Sequence, residues 1–284
     1  MFFHNNELID VPANRYKPLL TAMINDKGVL DVDTVKGCSF GTKKYPDGGC
    51  YSECYAYKNA KRYGIDFTVS VSRKMLRENG GIVFDTVKNH TASWYRIGTH
   101  GDPCHDWDNT CSIIEALKCT NKIPVVITKH WISFSDIHID RLRKLSVVVN
   151  TSVSGMDTDM EIKHRVEQVY RLRENGIRSV IRIVTCNYGR TEYGRKAKEK
   201  QDYLLSIIPN IDNPLRAGNK NVHVLKGDII LSKINNAKGN KFISLHDKNI
   251  YLGICEVCPD QCGVEILLQR KKFNLIRKGF DIIQ

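Results

Sequence analysis

The chain has no long apolar run. Stretches such as IPVVIT and VVV fall far short of the roughly 20 residues that a membrane-spanning helix needs, so no membrane partner is expected. The opening MFFHNNELIDVP meets polar and acidic side chains at once, and the expectation is a soluble, unexported protein of the cytoplasm. Internal repeats, low-complexity tracts and obvious linkers are also missing, and 284 residues then suffice for one large α/β barrel or two ordinary domains. Acid is the scarcer charge: 31 Asp and Glu stand against 43 Lys and Arg, a formal +12. That balance favours a polyanionic partner or substrate, nucleic acid among them, without saying which.

Cysteine is abundant, with ten in the chain. In a reducing compartment that number points to metal, cluster or redox use for those that gather. Six do: Cys38, Cys50 and Cys54 form one group, and Cys255, Cys258 and Cys262 another. Cys104, Cys111, Cys119 and Cys186 read as small buried apolar residues.

Short β-branched runs alternate with longer amphipathic ones, which predicts βα units on a parallel sheet. Strands are expected in VLDVDTVKGC, WYRIGTH, IPVVITKH, SVVVNTSVSG, SVIRIVTCN and NVHVLKGDIIL. Helices are expected near Cys54, around residues 81–92, in DNTCSIIEALKC with Asp108 or Asn109 as N-cap, and in SDIHIDRLRKL behind Ser135. A further helix follows from TDMEIKHRVEQVYRLRENG, with Thr158 and Glu161 at capping-box spacing and Asn175 and Gly176 at the exit. Others are expected near residues 195–207 and in VEILLQRKKFNLIRKG. The fold class is α/β, a partial (βα)6 TIM-like barrel over residues 1–228 with a C-terminal cysteine-containing extension over 229–284; a doubly wound sheet fits the same alternation. Either architecture binds ligands at the C-terminal ends of its strands, where the cysteine loop, THGDPCHD, TKHW, TSVSGMD and TCNYGR all fall.

The loop GCSFGTKKYPDGGCYSECYA places three thiols after the first strand, with Gly37, Gly41, Gly48, Gly49 and Pro46 to bend it. A closed zinc site needs four ligands, the fourth coming from His100, His105 or the second cysteine group. An iron-sulfur cluster held by three cysteines instead leaves one iron open. With GTHGDP after strand two, the motif order over about residues 30–190 resembles the radical S-adenosylmethionine superfamily and is similar to its phage-associated Gp37/Gp68-type branch. The superfamily's usual loop is CxxxCxxC, and residues 39–49 are a longer insert here.

The resemblance implies a [4Fe-4S] cluster on Cys38, Cys50 and Cys54, with S-adenosylmethionine on its fourth iron and an electron donor as partner. Gly98, Thr99, Gly101 and Asp102 take the place of the family's glycine-rich motif, Ser152 and Ser154 that of carboxylate or ribose contacts, and Arg182 that of a carboxylate partner. It implies a reductively generated 5′-deoxyadenosyl radical acting on a substrate, here nucleic acid or a nucleotide-derived molecule. If the chain is phage-encoded, the compartment is the host cytoplasm.

GICEVCPDQCG suggests a second iron-sulfur cluster or a zinc site on Cys255, Cys258 and Cys262, with Cys104, Cys186 or His246 as a fourth ligand. His100, Asp102, His105, Asp106 and Asp108 raise an alternative, a barrel metallohydrolase. A non-enzymatic zinc protein that grips nucleic acid is the other. Lys129, His130 and Trp131 fall where a substrate would be held. Basic, aromatic-interleaved stretches around Tyr188 and Tyr193 and around Phe273 suit phosphates and bases.

Overall fold

The computed structural model describes residues 15–25, 28–42, 49–184, 191–208 and 261–264, together with short strands at 3–4, 7–8, 242–243 and 251–252. Two of these short pairs are antiparallel, β1 (Phe3–His4) with β2 (Glu7–Leu8) and β11 (Phe242–Ile243) with β12 (Tyr251–Leu252). The centre is a six-stranded sheet that contains β3 (Met23–Ile24), β4 (Leu30–Asp31), β7 (Trp94–Ile97), β8 (Ile123–Thr128), β9 (Val148–Val153) and β10 (Arg178–Ile183). Its order is β10-β9-β8-β7-β4-β3, parallel throughout except for the antiparallel edge strand β3. The chain is therefore α/β with a mostly parallel central sheet, and no helix among the described residues is long and apolar enough to cross a membrane.

The parallel strands follow one another in sequence order, so the described sheet has no point at which the winding reverses. α1 (Tyr55–Arg62) and α2 (Arg77–Asn89) lie between β4 and β7, and α3 (Trp107–Ala116), α4 (Asp136–Arg143) and α5 (Asp159–Glu174) fill the next three crossovers. α6 (Glu192–Ile207) follows β10.

Strand alternation sorts the side chains. In β9, Val149 and Val153 pack with apolar side chains from the helices, whereas Val148, Asn150 and Ser152 face the opposite side of the sheet. α5 shows how the helical layer is held. Thr158 and Glu161 form the capping box, with Thr158 N donating to Glu161 Oε2 at 2.8 Å and Glu161 N to Thr158 Oγ1 at 3.2 Å. Ile162, Val166, Val169 and Leu172 are almost wholly buried, each contributing about 1.5–3 kcal/mol. Gly176 at φ +77° ends the helix in the left-handed region.

The first expected strand is split. Only Leu30 and Asp31 join the sheet; the chain then leaves it, and β5 (Val35–Lys36) pairs with β6 (Val71–Ser72) in a separate two-stranded antiparallel sheet that brackets the cysteine loop and α1. The cap of α3 is Asp106, whose Oδ1 accepts from Asn109 N at 3.0 Å, and neither Asp108 nor Asn109 fills that role. The strand expected in NVHVLKGDIIL, the closing helix and the 228/229 boundary lie outside the described residues.

Residues 261–264 rest on the non-helical side of the sheet. Asn150 Nδ2 donates to Cys262 O at 2.9 Å, Arg178 donates to Val264 O, and Val264 packs with Val29, Trp94, Val125 and Val148. Trp94, Val148 and Arg178 are the first residues of their strands. This piece of the C-terminal extension thus covers the N-terminal ends of the strands and leaves their C-terminal ends to a cavity.

Candidate functional site

At the C-terminal ends of the parallel strands lies an open cavity of about 1220 Å³, counting its mouth. Cys38, Cys50 and Cys54 line it, as do Gly98, Thr99, Gly101, Asp102, Ser152, Ser154 and Arg182. Ten residues spread over nearly 150 positions of sequence meet there because consecutive parallel strands deliver their following loops to one end of the sheet.

The thiols sit in a dense aromatic packing. Cys38 and Cys54 join Tyr51, Tyr57 and Phe67, with Tyr51 stacked on Tyr57 at 4.4 Å and edge-on to Phe67 at 5.9 Å. The Tyr51 hydroxyl donates to Cys38 O. Burial, then the nearby Asp102 and Cys50, push the Cys38 thiol up to about 12. Cys50 and Cys54 are hydrogen-bonded to each other; this bond raises Cys50, which holds the proton, and lowers Cys54. Cys54 is the N-cap of α1 and accepts from Tyr57 N at 3.4 Å, the environment that favours a thiolate. Among the described residues, no three His, Cys, Asp or Glu converge tightly enough to hold a single metal ion.

The loop after β7 is fixed from below by Asp33, a residue without a sequence motif to mark it. Its Oδ1 accepts from Gly98 N at 3.0 Å and Thr99 N at 2.7 Å, and its Oδ2 from His100 N at 3.2 Å and lies 3.1 Å from His100 Nδ1. Burial would raise this carboxyl, but His100 and the backbone donors outweigh it and hold Asp33 below the ordinary carboxylate range. Gly98 has φ +95°, and a Cβ there would overlap the carbonyl of Ile127. A Cβ on Gly101 would come within 2.5 Å of Val35 O and 2.7 Å of Gly37 O. The loop therefore needs glycine at both positions for close backbone approach.

Asp102 lines the cavity but its carboxylate is already engaged. It accepts from Cys104 N at 3.0 Å, Thr128 Oγ1 at 2.7 Å and Lys129 N at 2.7 Å, tying the β7 loop to the end of β8. The other four acids and histidines of this stretch are dispersed: His100 sits on Asp33, Asp106 caps α3, Asp108 is exposed beside His138 and Arg141, and His105 lies edge-on to Phe40 at 6.3 Å. They do not form the metal site a hydrolase would need.

Lys129 and Trp131 line the cavity; His130 does not. His130 is buried on the helical side with Nε2 2.9 Å from Thr151 Oγ1, and burial, then His164 and Arg165, drive it down to about 3. Lys129 Nζ lies 2.6 Å from Asp157 Oδ1 and 3.3 Å from Ser154 Oγ, while Arg165 reaches Asp157 Oδ2 at 2.5 Å. Although burial opposes it, the two cations hold Asp157 at about 2. Arg165 also lies 4.7 Å over the Trp131 ring. At the cavity floor Arg96 makes a bidentate pair with Asp31, Nε to Oδ1 at 2.8 Å and Nη2 to Oδ2 at 3.2 Å. The signal for this pair was a charged residue within each of two apolar strands; a buried strand tolerates such residues when they are paired.

Cys262, the one described member of the second cysteine group, does not complete the first. Cys262 lies at the opposite ends of the strands, and Cys104 is buried on the helical side among the α3 and α4 side chains, so neither Cys262 with the first group nor Cys104 with Cys262 forms a ligand set. Cys111 is buried as expected, but Cys119 is exposed. Cys186, His246, Cys255 and Cys258, together with Gly48, Pro46, Tyr188 and Phe273, lie outside the described residues. Tyr193 is within α6 and packs near Met156 and Cys50. In comparisons with known proteins, no family model matches the chain and no curated protein matches it.

Proposed function

We propose that the chain is a radical S-adenosylmethionine enzyme built on an open (βα) barrel. The observation that carries this reading is the single cavity lined by the three thiols of the 38–54 loop, the Gly98–Asp102 loop, the two serines of β9 and its exit, and Arg182 of β10. The sequential order of the parallel strands supports the barrel part of this reading, since a barrel winds its strands in that way.

The donor set fits the cofactor. Cys38, Cys50 and Cys54 are soft ligands, and no other cysteine lines the cavity among the described residues. A cluster takes each thiolate on a different iron, so three cysteines leave one iron for a small chelating molecule. Cluster binding requires the thiols to lose their protons, so the cations of the cluster must overcome the burial that raises Cys38. A [4Fe-4S] cluster with S-adenosylmethionine supplies one-electron cleavage of the sulfonium and a 5′-deoxyadenosyl radical that takes a substrate hydrogen.

The chain's own residues bind and shield. With the Gly98 and Thr99 N–H groups taken by Asp33, the backbone carbonyls of this turn would accept from the amino end of the cofactor; Arg182 would neutralise its carboxylate, and Ser152 and Ser154 would supply hydroxyls. Tyr51, Phe67 and Trp131 form apolar wall that keeps water from the thiols. Lys129, steadied by Asp157, places a cation beside Cys50. The proposed activity is tested by incubating reconstituted protein with S-adenosylmethionine and dithionite under nitrogen and quantifying 5′-deoxyadenosine. Cleavage that disappears in Cys54→Ala supports the reading; a loaded protein that releases no 5′-deoxyadenosine refutes it.

A further inference from the structure

Basic charge is not spread evenly over the helices. α1 carries Lys58, Lys61 and Arg62 with no acid in its eight residues. α3 carries acids without a base, while α2, α4, α5 and α6 mix both signs. The buried face of α1 is Ala56 and Ala60, packed over Cys38 and Phe67. Its opposite face presents Tyr55, Lys58, Asn59 and Arg62, all exposed and spaced as one helical stripe. Tyr63, 66% exposed, follows at the C-cap. Lys58 pairs with Glu53 at 3.3 Å, whereas Lys61 and Arg62 have no ion-pair partner among the described residues.

The stripe starts at the cavity. Tyr55 is both the first residue of α1 and part of the cavity wall, and its hydroxyl donates to Thr99 O at 2.6 Å. From there the basic face runs outward for about 12 Å. A row of cations beside an exposed aromatic ring is what a single strand requires: phosphates on the charges and an unpaired base on the ring. A base entering a cavity for chemistry must also be free of its own stack.

We propose that α1 is the docking surface for single-stranded nucleic acid. Lys61 and Arg62 engage phosphates, Tyr63 stacks on one base, and the strand is led along α1 past Tyr55 so that a nucleotide further along it enters the cavity. This names the substrate class of the proposed reaction site and rests on that reading.

The test is fluorescence anisotropy of a labelled thymidine oligonucleotide of about 20 nucleotides, longer than one typical single-strand site, titrated with the reconstituted full chain at several salt concentrations. Lys61→Gln/Arg62→Gln is expected to weaken binding at least tenfold and to make the slope of log K against log salt shallower by about 1.4, the value for two lost phosphate contacts. Tyr63→Ala, which keeps every charge, is expected to weaken it about fivefold or more at unchanged slope. Lys118→Gln/Lys144→Gln, at two exposed positions on the connections into β8 and β9 at the other end of the strands from the cavity, removes the same charge and is expected to stay within about twofold of wild type, since its effect is only long-range. The proposal is overturned if the α1 double variant binds like wild type, if the Lys118/Lys144 variant weakens binding equally, or if a duplex of the same length binds as tightly. S-Adenosylmethionine cleavage measured on the same preparations separates the two readings: lost docking with intact cleavage removes only this proposal, and intact docking without cleavage removes only the assignment of the reaction.

Discussion

Replacing Asp33 with asparagine keeps the shape of a buried side chain and removes its charge. In the native protein the carboxylate accepts from three successive backbone N–H groups, those of Gly98, Thr99 and His100, and lies 3.1 Å from His100 Nδ1. A bond to a charged acceptor contributes about 1.5–3 kcal/mol, roughly twice a neutral one. The amide oxygen retains the two donors on one side at reduced strength, while its NH₂ faces the donors of His100. With Asp33 only 3% exposed, water does not replace what is lost, and the expected cost is about 3–5 kcal/mol. For a chain of this size that corresponds to a fall in Tm of about 6–10 °C at neutral pH, measured by circular dichroism on the metal-free protein. Because the folded carboxyl lies below its ordinary value of 3.8, its contribution is present above about pH 4 and lost as the pH falls through the folded value. The gap between variant and wild type should therefore narrow in acid. A Tm equal to wild type at neutral pH would show that Asp33 does not hold the 98–100 loop.

Gly101→Ala forces a Cβ to 2.5 Å from Val35 O and 2.7 Å from Gly37 O; it should cost about 1–3 kcal/mol in urea unfolding and impair S-adenosylmethionine binding by calorimetry. Gly64→Ala, at φ +65° with nothing within 4 Å, should cost about 1–2 kcal/mol from backbone strain and leave that binding intact. Asp157, held at about 2 against an ordinary 3.8, should contribute about 2 kcal/mol of stability above pH 4 that disappears between about pH 4 and pH 2. Asp157→Asn should abolish that acid-dependent contribution and, by leaving Arg165 and Lys129 without their counter-charge, cost about 3–5 kcal/mol at neutral pH; an unchanged urea midpoint would contradict the buried ion network.

Much of the strand order was legible because β8, β9 and β10 are dense β-branched runs and α5 announces both of its ends with Thr158, Glu161 and Gly176. The residues that meet in the cavity were legible as strand-end loops, since parallel βα winding brings such loops together whatever their sequence separation. What the sequence hid were the pairings. Asp31 and Arg96 stand 65 positions apart, and neither is informative without the other; Asp33 looks like any loop acid until three backbone N–H groups are seen to converge on it. Conversely, the cluster of acids and histidines in THGDPCHDWD raised a metal site as an alternative by proximity in sequence, yet helix capping, loop anchoring and a surface ion pair take its members in different directions. The edge strand β3, two residues long with both side chains exposed, has no periodicity to reveal it.

The central claim is that Cys38, Cys50 and Cys54 hold an iron-sulfur cluster, and the most direct test is iron and sulfide content after anaerobic reconstitution, compared between wild type and Cys38→Ala/Cys50→Ala/Cys54→Ala. The account predicts a brown wild-type protein and a loss of about four irons and four sulfides per chain in the triple variant. A colourless wild-type protein carrying stoichiometric zinc, or a triple variant with undiminished iron, would contradict it.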